Sequence, residues 1–322
     1  MRKTLTRTIL VVLPLLALMA CEPDPGDTAP IAPDDTAPET WGLDDLGGSC
    51  GYADHLGRFE LAHWDGPDEG FATVTGAVLD GVIPITVLEE VASEAGCTLW
   101  RKNNPFCEEL CQPDEACNHD GECEPYPMAQ DLGPVQVDGL AVPLTLTADG
   151  FGNYWDTSVG YPMFEPGAHI TLTAADRFEL RGLGVERIEV AEPNWLLEPG
   201  VDMPVSWTVP TVPGRVAITF NIDQHGTSPL TMICELPDTG SASIPAALLG
   251  PMVDNGVSGY PSAWIRRRTA DRVANSDGCT DLLVYSHRAV DMAVEGYTPC
   301  NGDLDCPDGQ HCDIERQICE DD

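Results

Sequence analysis

Val216-Ala217-Ile218-Thr219-Phe220-Asn221-Ile222 decides the fold class. Four large apolar residues point one way and small or polar ones the other, the period-two pattern of a half-buried strand. The same alternation spreads outward from it. Leu140, Val142, Leu144 and Leu146 share a face, as do Ile170, Leu172 and Ala174, then Val205, Trp207 and Val209. Met232, Cys234 and Leu236 continue it, followed by Val290, Met292 and Val294. Glu165-Pro166-Gly167, Glu198-Pro199-Gly200 and Val212-Pro213-Gly214 supply turns between the runs. Short alternating strands with regular turn signals predict a mainly β chain, with an antiparallel β-sandwich of the immunoglobulin-like class over 128–297. One helical turn is expected over Ser243 to Gly250, capped by Ser243 with Pro245 in its first turn.

Upstream, residues 48–103 read as a separate small β unit. Phe59 to Ala62 and Thr73 to Val78 alternate, and Asp80-Gly81 marks a turn. Ile85 to Trp100 fits either a helix face or a hairpin turning at Glu94-Ala95-Gly96; its strand neighbours favour the hairpin. Residues 104–127 carry Cys107, Cys111, Cys117 and Cys123, and 298–322 carry Cys300, Cys306, Cys312 and Cys319. Segments this short cannot bury a core, so crosslinks must hold them. Zinc coordination by the first set is the alternative in a reducing compartment.

The N-terminus supplies the compartment. Residues 1–20 have a basic start (Arg2, Lys3, Arg7), an apolar run from Ile9 to Leu18 and a small-residue close, the layout of an export signal and too short to span a bilayer. Of 13 cysteines, setting Cys21 apart leaves an even number, as expected for a disulfide set in an exported chain. Each four-cysteine module allows three pairings. The pairing adopted is Cys107–Cys117 with Cys111–Cys123 and Cys300–Cys312 with Cys306–Cys319, then Cys234–Cys279 across the sandwich and Cys50–Cys97. Residues 21–47, rich in Pro, Asp and Thr with DTAP twice, read as an extended tether. At polyproline rise it spans roughly 80 Å.

Leu18-Met19-Ala20-Cys21 resembles the lipobox of bacterial lipoproteins, which implies a diacylglyceryl group on the Cys21 thiol and a lipid anchor in the cell envelope. Glu22, rather than Asp, after that cysteine favours the outer over the inner membrane. The C-terminal module resembles the Dickkopf-type cysteine-rich repeat. The lipobox, Asn104-Pro105-Phe106-Cys107 through Tyr126-Pro127, Asp223-Gln224-His225-Gly226, and Cys234 with Asp238-Thr239-Gly240-Ser241 together resemble cysteine-rich surface lipoproteins of myxobacteria-like bacteria. That resemblance implies a place at the cell envelope and no particular activity.

Lys and Arg total 16 against 53 acidic residues, a formal charge of −37. Such a surface repels phosphate backbones, which excludes nucleic acid as a partner. The expected partners are the membrane, through the N-terminal lipid, and an envelope protein or glycan. No cofactor is expected. Asn301, Asp303, Asp305 and Asp308 space oxygen ligands as calcium loops do, but cysteines occupy the glycine and bidentate-glutamate positions of an EF-hand, so they are weak Ca²⁺ candidates.

Asp223 and His225 leave a strand end together and are the most enzyme-like pair, the basis of an alternative reading as an exported hydrolase. No nucleophile elbow, His-Glu-x-x-His pair or phosphate loop accompanies them. Asp238-Thr239-Gly240-Ser241 is similar to the active-site turn of aspartic proteases, in which two aspartates share a proton, but the chain has one copy. Trp195, Trp207 and Trp264 with Arg266-Arg267-Arg268 form the remaining candidate, a carbohydrate- or anion-binding face resting on Trp264 and Arg267. Against it stands plain neutralisation of neighbouring carboxylates. The expected role is therefore binding or structural, without catalysis of its own.

Overall fold

The computed structural model describes residues 41–322 except 67–68, 103–106, 119, 176, 192–193 and 224–229. The expected signal, Cys21 and the DTAP repeats lie outside the described residues. Strand accounts for 49% and helix for 6%, so the protein is mainly β. In chain order come β1 (His55–Trp64), β2 (Phe71–Val78), β3 (Leu88–Glu94) and β4 (Cys97–Lys102), then β5 (Glu115–Cys117) and β6 (Cys123–Pro125). Next are β7 (Val135–Asp138), β8 (Leu144–Leu146), β9 (Tyr154–Asp156), β10 (His169–Ala174) and β11 (Phe178–Leu183). After them follow β12 (Asn194–Leu197), β13 (Met203–Ser206), β14 (Arg215–Asn221), β15 (Leu230–Pro237) and β16 (Ser241–Ile244). The helix α1 (Ala246–Asp254) precedes the long β17 (Ser262–Ala274) and β18 (Cys279–Val294), and β19 (Gln310–Asp313) with β20 (Ile318–Asp321) closes the chain.

A ten-stranded sheet dominates, in the order β3-β4-β15-β14-β17-β18-β1-β2-β9, with β12 also on β18. Its β3–β4 hairpin turns at Ala95 (φ 50°) and Gly96 (φ 80°), the double positive φ of a type I′ turn. Most pairs are antiparallel, but β1 and β12 run parallel to β18. This corrects two expectations. The sheet is mixed rather than purely antiparallel, and 48–103 is no separate unit: β1 pairs with β18 and β4 with β15, so the described residues from 41 onward form one compact body. Alternation reveals which residues are strands, but the partner of a strand depends on chain crossovers it does not record.

One face of the large sheet is covered. Leu99, Ile218, Met232 and Ile265 pack there with Leu249 of α1 and with Val205 of the β13–β16 pair. Further along, Phe59, Leu61 and Val284 share a second apolar cluster with Val137, Ile170 and Leu180 of a four-stranded sheet ordered β11-β10-β7-β8. The helix starts at Ala246 with Pro245 as its cap residue, whereas Ser243 belongs to β16. Asp202 accepts the Ala246 N–H at 2.8 Å, so the capping oxygen comes from a distant residue.

Six disulfides join the described cysteines. Cys107–Cys117 and Cys111–Cys123 staple one module; Cys300–Cys312 and Cys306–Cys319 staple the other. The two remaining bonds differ from expectation: Cys50 pairs with Cys279, not Cys97, and Cys97 pairs with Cys234, not Cys279. The cause is register. Cys97 lies directly opposite Cys234 across β4 and β15, while Gly48 N–H and Cys50 N–H bond Ala270 O and Asp281, which brings Cys50 beside the start of β18. The expected tether also ends earlier than residue 47. Trp41 packs on His169 at 4.5 Å with Arg181 over its ring, and Leu43–Asp45 forms a 3₁₀ turn.

Candidate functional site

The other face of the large sheet carries the candidate site, a groove of about 900 Å³. Its floor is the outward row of β14, β15 and β17: Arg215, Ala217 and Thr219, then Ile233 and Glu235, then Arg266, Arg268 and Ala270. The segment 43–53 forms one wall and the β3–β4 hairpin the other, where Tyr52 meets Trp100 edge-on at 5.1 Å. Small residues such as Ala217 and Ala270 keep the floor low, so the arginine stems border the space above it.

Register explains the clustering. Arg215 of β14 lies directly opposite Arg268 of β17, and Ala217 opposite Arg266. Arg266 is therefore diagonal to Arg215 and two residues from Arg268, about 7 Å along the strand. Like charges directly opposite one another in a sheet are destabilising. Arg268 is paired with Glu235, and Arg58 on the same face forms a two-pronged pair with Asp281. Arg215 and Arg266 have no carboxylate within ion-pair distance among the described residues. Thirteen basic residues lie beyond the first twenty positions, and four of them line this one groove.

Arg266 also joins the groove to an aromatic shelf. Its Nε donates to His287 Nδ1 at 3.0 Å, and its guanidinium lies 5.3 Å from the Tyr285 ring centroid. His287 is wedged between Trp64 and Trp264, at 4.4 and 4.3 Å between ring centroids. Burial, reinforced by the Arg266 charge, pushes its pKa down to about 3. The neutral ring that accepts at Nδ1 carries its proton on Nε2, a buried atom without a hydrogen-bond partner. Phe71, 56% exposed, stacks on Trp64 at the edge of this shelf. Burial raises the Tyr52 pKa as well, with Arg58 opposing.

The Arg266-Arg267-Arg268 triplet is thus split by the strand's period of two. Arg267 points to the covered face and is fully buried. Its Nε donates to Asp238 at 2.6 Å, and its other nitrogens donate to the carbonyls of Arg187 (2.9 Å) and Thr208. Neutralisation describes Arg267, and it is withdrawn from any ligand-binding face. Asp238 of the protease-like turn is spent in the same way, also accepting from Trp207 Nε1 at 2.7 Å.

Other sequence candidates do not converge. Asp223 accepts from Ser258 Oγ beside the end of β14, while His225 lies outside the described residues. Asp305 accepts the Asn301 N–H and Asp303 the Cys312 N–H, both folding contacts within the C-terminal module, so those oxygens are engaged by the backbone. Asp308 joins neither contact. The clusters with metal-ligand spacing among the described residues all include cysteines held in disulfides. Sequence reasoning missed Arg215, Arg58, Tyr52 and Trp100. The usable signal was the alternation itself, which puts Arg215 on the polar side of the Val216–Ile222 run and separates Arg267 from its neighbours.

No protein-family model and no curated protein matches the chain.

Proposed function

We propose that this is a lipid-anchored cell-envelope protein that binds a ligand in the groove on the open face of its large sheet and performs no catalysis of its own. The observation that carries the reading is the convergence of Arg215, Arg266 and Arg268 in one groove of a chain with a formal charge of −37. Opposed cations cost stability, and an anion between them offsets that cost. The anchor reading rests on the lipobox-like Leu18 to Cys21 and on the even set of cysteines beyond it, with outer-membrane placement following from Glu22. The resemblance to surface lipoproteins supports the same location. The apolar cluster shared by the large and four-stranded sheets supports a sandwich of the immunoglobulin-like class.

Mass spectrometry of the mature protein tests the anchor. The expected N-terminal peptide begins at Cys21 with a diacylglyceryl group; an unmodified Cys21 contradicts it. Anion binding tests the groove. Arg215→Ala and Arg266→Ala should each weaken binding about tenfold, as expected for loss of one charge-assisted contact.

A further inference from the structure

Resting on the reading of the groove as the binding site, we infer that its occupant is an extended acidic glycan, a chain of sugar rings carrying carboxylates. Three cations sit at strand spacing rather than at one point: Arg268 opposite Arg215, Arg266 diagonal to it. That geometry suits acid groups repeated along a chain better than one compact anion. Guanidinium forks bind carboxylates in two-pronged fashion. Tyr52 and Trp100 provide rings for the apolar faces of sugars, and the hydroxyls of Ser93, Thr98 and Thr219 line the same space to meet sugar hydroxyls. A groove of about 900 Å³ is near the upper end of ligand sites, enough for several linked rings.

The acidic surroundings exclude the broader anions. An anionic bilayer or an acidic globular partner would also face the exposed Glu89, Glu90 and Glu94 of β3 beside the groove. Repulsion there acts over about 8 Å at physiological salt. A thin chain lying in the groove meets Arg215 and Arg266 and, of the floor carboxylates, Glu235 alone, which is already paired with Arg268. An acidic peptide is thin enough, but it offers no flat apolar ring face to Tyr52 and Trp100.

The test is a calorimetric titration of the mature protein with a short oligogalacturonate. A neutral maltooligosaccharide, a polyglutamate peptide and phosphatidylglycerol vesicles are titrated in parallel. Oligogalacturonate is expected to bind, more weakly as salt rises, with the other three at least tenfold weaker. Arg215→Ala, Arg266→Ala and Trp100→Ala should each weaken it, while Arg177→Ala, on the β10–β11 turn away from the groove, should not. Arg215→Glu is the variant secure in folding, because it places an opposite charge across from Arg268, and it should abolish binding. Equal binding of polyglutamate or vesicles, lost in Arg215→Glu, overturns the glycan assignment and leaves the groove as the site. Oligogalacturonate binding that survives Arg215→Glu, or no binding of any anion, overturns both.

Discussion

The two faces of the large sheet treat charge in opposite ways. On the covered face Arg267 is fully buried and matched by Asp238 and backbone carbonyls. On the open face, one residue away along β17, Arg266 and Arg268 border a groove beside Arg215. A charge inside a core must be matched to be tolerated. Arg268 is held by Glu235, whereas Arg215 and Arg266 are left without a carboxylate in a strongly acidic protein, and Arg215 lies opposite another charge of its own sign, which does nothing for the fold. The difference separates an arginine that belongs to the structure from arginines available to a ligand.

The contrast breaks most sharply at Arg267. Arg267→Ala strands Asp238 in the core and should destabilise by about 3–5 kcal/mol in denaturant unfolding. The same truncation at Arg266 should cost well under half of that. Acid gives the next largest effect, with one histidine on each face. His63, which accepts the Met163 N–H at 2.9 Å on the covered face, is pushed by burial down to about 4 against the opposing charge of Asp65; His287 lies near 3. Both fold neutral and ionise near 6.5 when unfolded, so their stabilisation is complete above pH 6.5 and declines as pH falls toward 4 and below. Chemical unfolding at pH 7 and pH 4.5 should differ by about 2–4 kcal/mol. Asp281 extends the acid loss. Burial alone would raise its pKa, but hydrogen bonds from His55 and Arg58, the Arg58 charge and the Cys50 N–H hold it far below the usual range. Its contribution is present above pH 3.9 and lost below.

Removing the Cys50–Cys279 bond, which spans 229 residues, by Cys50→Ser with Cys279→Ser should cost about 3 kcal/mol by thermal unfolding. Peptide mapping without reduction should recover Cys50 joined to Cys279. The smallest effect has the opposite sign. Arg215→Ala relieves the pair with Arg268 and should stabilise by about 0.2–1 kcal/mol. A loss of stability would mean that Arg215 belongs with Arg267 as a structural residue.

Alternation made the strands legible, and Val216–Ile222 is β14 almost to the residue. The hairpin at Ala95-Gly96 was legible through its strand neighbours, since its own residues also fit a helix face. Pairing across the chain was not. Nothing local in Cys97 or Cys234 marks them as opposite one another, because β4 joins β15 only through a crossover of more than a hundred residues. The groove shares that limit. Its cations come from β1, β14 and β17, and only the two on β17 are neighbours in sequence. Arg267 misled in a different way: three consecutive arginines suggest one patch, whereas a strand sends the middle one to the other face.

The most direct test is the salt dependence of oligogalacturonate binding to the mature protein beside its Arg215→Glu variant. Saturable binding that weakens steadily with salt and disappears in the variant is the predicted result. Binding that ignores salt, or that persists in Arg215→Glu, would contradict the account of the open face.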